Sequence, residues 1–222
     1  MIKAVFFDLD NTLIDFMAMK HRSCEAAIDA MRKAGLKFEK KKALKILFEL
    51  YDKYGIEHKE IFQKFLKKIK GKIDYRLVAH GIVAYRKAKE RCLVPYPHAT
   101  PTLTKLKKKY KLAIISDAPR LGAWLRLAAM NIDSFFDIII TAADVRKKKT
   151  SMAPFRAALK ALKLKPEEAL MVGDRIERDI RPAKALGIKT CYARYGATKS
   201  IPKGKSGADF EIEDISELVG LR

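Results

Sequence analysis

Residues 2–12 read IKAVFFDLDNT, a short apolar run followed at once by Asp8, Asp10 and Thr12. The run IKAVFF is β-prone and shows no polar alternation, which predicts a strand covered on both faces, as in a parallel sheet. Acids that follow such a strand stand at its carboxyl end, where open α/β sheets carry their functional groups.

The pattern repeats downstream. Strands are expected at 111–115 (KLAII, ending at Ser116), 136–141 (FDIIIT), 169–173 (ALMVG, ending at Asp174), 189–193 (KTCYA) and near 209–212 (DFEI). Helical patterns separate them. One starts at Thr100-Pro101, and 119–131 carries Leu121, Trp124, Leu125 and Leu127 on a helical period. A third starts at Pro154, and 177–186 stops before Gly187, a favoured helix end. Strand–helix alternation of this kind predicts an α/β fold with a doubly wound, Rossmann-like parallel sheet.

Residues 16–94 break that rhythm. They hold helical stretches near 17–34, 39–54, 58–70 and 74–92, punctuated by Gly35, Gly55 and Gly71. The expected organisation is a catalytic core from 1–15 and 95–222, interrupted by a helical cap domain at 16–94. The insertion contains 21 Lys and Arg against 9 Asp and Glu, so it is the more basic part of a chain with net charge +21. That charge favours anionic partners. It also suits a heat-adapted surface, in keeping with a single Gln and two Asn in the chain.

Other classes are disfavoured. No apolar run approaches the roughly 20 residues of a membrane span. The opening MIKAVFFDLD lacks the form of a signal peptide, which predicts a cytoplasmic protein. Cys24, Cys92 and Cys191 are odd in number and far apart, against a disulfide framework or a structural zinc site. The basic residues are dispersed with few aromatics among them, so nucleic acid is a weak candidate partner. Nothing in the sequence marks an oligomeric state.

The parallel sheet should bring Asp8, Asp10, Ser116, Asp117, Lys149, Asp174 and Asp179 to one edge. Crowded carboxylates repel unless a proton or a cation neutralises them. A hard ion such as Mg2+ prefers oxygen ligands. A phosphate group can then share the ion, with a lysine and a hydroxyl completing its cradle. Each residue alone reads as an ordinary cap, turn former or solvated charge; only their joint occurrence at strand ends points to a site.

These motifs resemble those of the haloacid dehalogenase superfamily. DLDNT at 8–12 is similar to its DxDxT signature, Ser116 to the second motif, Lys149 to the third, and Gly173-Asp174 with Asp179 to GDxxxxD. The resemblance extends to the inserted cap, the Pro-Tyr-Pro return at 95–97 and the closing ADFEIEDISEL at 208–218. Segments 81–97 and 168–175 are also similar to archaeal phosphatases of triose phosphates. The resemblance implies a Mg2+-dependent phosphatase of small phosphorylated metabolites such as triose or sugar phosphates. In that reading Asp8 is the nucleophile and Asp10 the general acid and base. Ser116, Lys149 and Asp117 lie at the phosphate. Asp8, the carbonyl of Asp10, Asp174 and Asp179 serve the metal. An acid at position 10 separates phosphate-ester chemistry from dehalogenation, because an alkoxide leaving group needs a proton and a halide does not.

Three positions depart from the family pattern. Asp117 replaces the usual Asn, and either weakens phosphate binding or points away. Lys149 is followed by Thr150 rather than Pro and preceded by Lys147 and Lys148, so the site lysine is one of three. His98 stands where glycine is common and reads as structural. The rival readings are a phosphomutase of the same fold, a basic nucleic-acid-binding module and a non-catalytic relative.

Overall fold

The computed structural model describes residues 1–197 and 201–221. Its sheet has six parallel strands: β1 (Ala4–Phe7), β2 (Lys111–Ser116), β3 (Ile138–Thr141), β4 (Ala169–Gly173), β5 (Lys189–Ala193) and β6 (Phe210–Ile212), in the order β3-β2-β1-β4-β5-β6. The helices in chain order are α1 (Phe16–Lys33), α2 (Lys40–Tyr54), α3 (Ile61–Lys70), α4 (Tyr75–Cys92), α5 (Ala99–Lys107), α6 (Arg120–Ala129), α7 (Ala142–Val145), α8 (Ala153–Leu162) and α9 (Arg181–Ala185). None of these is long and apolar enough to cross a membrane.

The chain divides into two compact units, Met1–Phe16 with the chain from Val94 onward, and Met17–Leu93. In the first, all four residues of β1 and all five of β4 are buried, as continuous apolar runs require when helices cover both faces. Phe6, Ala113, Ile115 and Met171 pack with Phe155 and Leu159 of α8 on one side of the sheet. The chain reverses direction of winding at β1, which pairs with β2 on one side and β4 on the other. Phe7 is level with Ile114 and Val172, so Asp8, Ser116 and Asp174 leave the sheet within two residues of the same level. A crevice forms at such a switch point because the crossovers on either side depart to opposite faces.

The second unit is all helical. Its core joins Cys24, Ile28 and Met31 of α1 to Leu47 and Leu50 of α2, Phe62 and Phe65 of α3, and Leu77 and Val78 of α4. Gly81 on α4 lets Met31 lie against bare backbone; a Cβ there would overlap the methionine Cε.

Two sequence expectations need correction. The helix expected at 177–186 is instead a wide π-type turn, Ile176–Ile180, that runs into the short α9. Pro182 cannot donate a helical hydrogen bond, and the wide turn carries the Asp179 carboxylate inward. On α6, the apolar period at Leu121, Trp124 and Leu125 marks the outer face, with those residues 71%, 45% and 55% exposed. The buried face is Ala123, Arg126 and Leu127. His98 begins the first helix of the core after the return segment. It adopts a left-handed conformation (φ 65°) at the start of α5, and its ring Nδ1 lies 3.0 Å from Asp214 Oδ2.

Candidate active site

Five segments build the site, beginning with the turn after β1. Asp8 continues the sheet by donating its N–H to Val172 O (2.9 Å), which fixes its Cα at the strand end. Asn11 then takes a left-handed conformation (φ 61°), tolerated by Asn better than by most residues. The turn closes with Asn11 N donating to Ile14 O at 2.7 Å. It is braced from outside the motif: Tyr96 N donates to Leu13 O (2.8 Å) and the Tyr195 hydroxyl to Thr12 O (2.8 Å). Gly196 lies so close that a Cβ there would overlap the Asn11 carbonyl oxygen.

From β2 comes Ser116, 1% exposed. Its Oγ accepts from Ala118 N (3.1 Å), which leaves the hydroxyl proton able to donate into the crevice. Asp117 is turned toward another strand's loop. Its Oδ1 accepts from Lys149 N (2.9 Å), and so clamps the start of the tight turn Lys149–Ser151.

That clamp selects among the three lysines. Lys149 is 2% exposed, while Lys147 and Lys148 are exposed. Its Nζ lies 2.7 Å from Asp8 Oδ1 and 2.5 Å from Asp179 Oδ1. Burial opposes its charge, but Asp179 and Asp8 outweigh that cost and hold it protonated.

Asp174 and Asp179 come from β4 and the π-type turn. Asp179 is wholly buried, and its Oδ2 accepts from Arg175 N (2.9 Å). Gly173 makes room for it: a Cβ there would fall 2.5 Å from the Asp179 Cγ. Asp174 is 3% exposed, and among the described residues neither of its carboxylate oxygens has a hydrogen-bond partner. Burial, then Asp8 and Asp179, push its carboxyl up to about 9.

Asp8, Asp174 and Asp179 each offer an oxygen within 4.8 Å of the others. Three buried acids share one ammonium, and among the described residues one of them lacks any donor. That excess of oxygen ligands and negative charge fits a hard divalent cation. The Asp10 side chain stands apart from this triad; its Oδ1 lies 3.2 Å from Arg126 Nε. Beside Asp174 is a cavity of about 340 Å3, walled also by Arg175, Glu177, Arg178, Tyr192 and Ile201.

Sequence reasoning missed Arg126, Tyr195 and Gly196. The first is a charge within a helical stripe, and the other two follow β5 with no motif to mark them.

The family model described as haloacid dehalogenase-like hydrolase matches residues 2–187. The chain is similar to the glyceraldehyde 3-phosphate phosphatase of Methanocaldococcus jannaschii, at 34% identity over all of this chain and 97% of that one. It is equally similar to the protein of the same name from Pyrococcus furiosus, at 34% identity over 98% of this chain and 92% of the other. Among solved structures, a HAD phosphatase from Thermococcus onnurineus superposes with a TM-score of 0.64 and 26% identity, covering 98% of this chain and 96% of that one.

Proposed function

The chain belongs to the haloacid dehalogenase-like hydrolases, and from that premise we propose that it is a cytoplasmic phosphatase of small phosphate monoesters, with glyceraldehyde 3-phosphate the first candidate substrate. The observation that carries the reading is Asp8 held by Lys149 against two further buried acids. The relatives named for glyceraldehyde 3-phosphate, matched over nearly their whole length, support the substrate.

Asp8 attacks phosphorus: a bond forms from its carboxylate oxygen, and the bond from phosphorus to the ester oxygen breaks. Asp10 gives its proton to that oxygen, and the alcohol leaves. In the second half, Asp10 takes a proton from water as the water oxygen bonds to phosphorus. The Asp8–phosphorus bond breaks, inorganic phosphate departs, and both acids return to their starting states. Lys149 orients Asp8 and offsets the charge of the incoming phosphate, and Ser116 donates to a phosphoryl oxygen. Asp8, Asp174, Asp179 and the Asp10 carbonyl would hold Mg2+, which supplies the positive charge that lets a phosphate dianion approach this acidic centre.

The test is a panel of phosphorylated metabolites, glyceraldehyde 3-phosphate included, assayed for phosphate release with and without Mg2+. Many equivalents of phosphate per enzyme are expected, which also separates a phosphatase from a phosphomutase. Asp8→Asn should abolish release; turnover retained by that variant removes Asp8 from its role.

A further inference from the structure

We propose that Arg126 is a positioning residue for Asp10, holding the proton-transfer carboxylate in the geometry that both half-reactions need; the inference rests on the phosphatase reading above.

Arg126 is the largest fully buried side chain among the described residues, at 1% exposure, and it lies on the inner face of α6. Burying a guanidinium is costly, and an apolar side chain would fill the same space without that cost. Its surroundings show where the charge is directed. Its Nε is 3.2 Å from Asp10 Oδ1, and its guanidinium carbon is 4.7 Å from the ring centroid of Phe16, at the end of the same motif turn. One helical turn earlier, Gly122 leaves open backbone beside Nη1, where a Cβ would come to 3.4 Å. The planar cation therefore lies against an aromatic ring and within ion-pair distance of the Asp10 carboxylate.

That arrangement separates it from a substrate-binding arginine. The Arg126 side chain is 2% exposed and the Asp10 side chain 25% exposed, so Asp10 faces the crevice while Arg126 is held behind it, shielded from solvent. Anchoring Oδ1 sets the plane of the carboxylate and so where its proton is delivered. Small misplacements of such a group are costly, because proton transfer requires hydrogen-bond distance at the transition state.

The experiment uses leaving-group dependence. A p-nitrophenolate leaves without help from a proton, whereas the alkoxide of glycerol phosphate requires it. The ratio of kcat/KM for the two esters, which reports only steps up to the aspartyl-phosphate, is measured with Mg2+ for wild type, Asp10→Asn, Arg126→Met and Arg126→Lys. If Arg126 positions Asp10, Arg126→Met loses about tenfold more activity on the alkyl ester than on the aryl ester, in the same direction as Asp10→Asn. Arg126→Lys, which keeps a cation but not the Nε geometry, shows a smaller split of the same sign. It carries the test if the methionine variant does not fold. Equal losses on both esters would mean a purely structural arginine and overturn the proposal. If Arg126 variants show no split while Asp10→Asn does, the inference fails and the phosphatase reading stands. If Asp10→Asn shows no split either, the role given to Asp10 fails, and the inference with it.

Discussion

The Lys149 ammonium lies 2.7 Å from Asp8 and is sealed from solvent, so the proposed nucleophile shares its counterion with a second buried acid, Asp179. Removing one member of a buried ionic group leaves the others uncompensated, at a cost of about 3–5 kcal/mol. Lys149→Met should therefore lower the melting temperature sharply as well as abolish phosphatase activity. Adding Asp179→Asn to it should recover part of the stability and none of the activity. A thermal-unfolding cycle over the four proteins checks both halves.

Asp174 carries the opposite sign. With neither oxygen hydrogen-bonded among the described residues, its burial destabilises the metal-free fold. Asp174→Asn should leave the chelated protein at least as stable as wild type. Wild type should gain about 2.7 kcal/mol when Mg2+ is present at a hundred times its dissociation constant, and the variant should gain nothing. Unfolding temperatures in chelator and in Mg2+ measure the difference. An equal Mg2+ response in the two proteins would take Asp174 out of the metal site.

The fold class was legible because apolar runs at β1, β2, β4 and β5 are too continuous for a one-sided sheet. Asp8 and Asp174 were legible because each closes such a run, and Asp10 and Asp179 because they stand at motif spacing from them. The lysine was not, since three neighbours fit the pattern; what singles out Lys149 is a hydrogen bond from its own N–H to Asp117, just past the end of β2, one strand earlier in the chain. Arg126 was hidden for a different reason. Periodicity assigns apolar residues inward, and α6 turns Leu121 and Leu125 outward while burying a charge. No sequence pattern announces an arginine whose partner is 116 positions earlier.

Asp117 offers a test of function rather than stability. Asn would still accept from Lys149 N through its carbonyl, while the negative charge would be gone. A like charge near an incoming phosphate dianion costs ~1 kcal/mol in a wet site. Asp117→Asn should thus lower KM for a phosphate monoester about fivefold with little change in kcat. A KM that rises would mean that the carboxylate itself helps to bind substrate.

Glu211 ties down the segment beyond β5. Its side chain accepts from Gly204 N (2.9 Å) and Ser206 N (3.2 Å) and pairs with Arg194 (3.0 Å). Burial alone would raise its carboxyl, but the bonds from Ser206 and Gly204 and the Arg194 charge bring it down to about 2. A depressed carboxyl stabilises the fold above its unfolded value, and that contribution fades as pH falls from about 4.5 toward 2. Glu211→Gln should be less stable by about 2 kcal/mol near neutrality and should converge on wild type in acid. Denaturant titrations at pH 7 and at pH 2 decide it, with a partly narrowed gap at pH 3.

Gly196 tests whether the Asp8–Asp10 turn is positioned by the segment that follows β5. A Cβ at this position would overlap the Asn11 carbonyl oxygen and come within 3.2 Å of the Asp174 Cβ. Both neighbours belong to elements that cannot yield independently: Asn11 is held in its left-handed turn by the bond to Ile14, and Asp174 follows directly on β4. Gly196→Ala must therefore move the Asp8–Asp10 turn relative to Asp174, at about 1–3 kcal/mol of overpacking. Tyr195→Phe, next to it, removes only the hydroxyl bond to Thr12 O and should cost about 1 kcal/mol. The two variants should part company in kinetics. Tyr195→Phe keeps most of kcat, whereas Gly196→Ala loses kcat and weakens the Mg2+ dependence, because the displaced atoms belong to the turn that carries the proposed nucleophile and to the proposed metal acid Asp174. If Gly196→Ala were destabilised but kept full kcat and an unchanged Mg2+ requirement, the turn would be set by its own hydrogen bonds, and the segment after β5 would be packing alone.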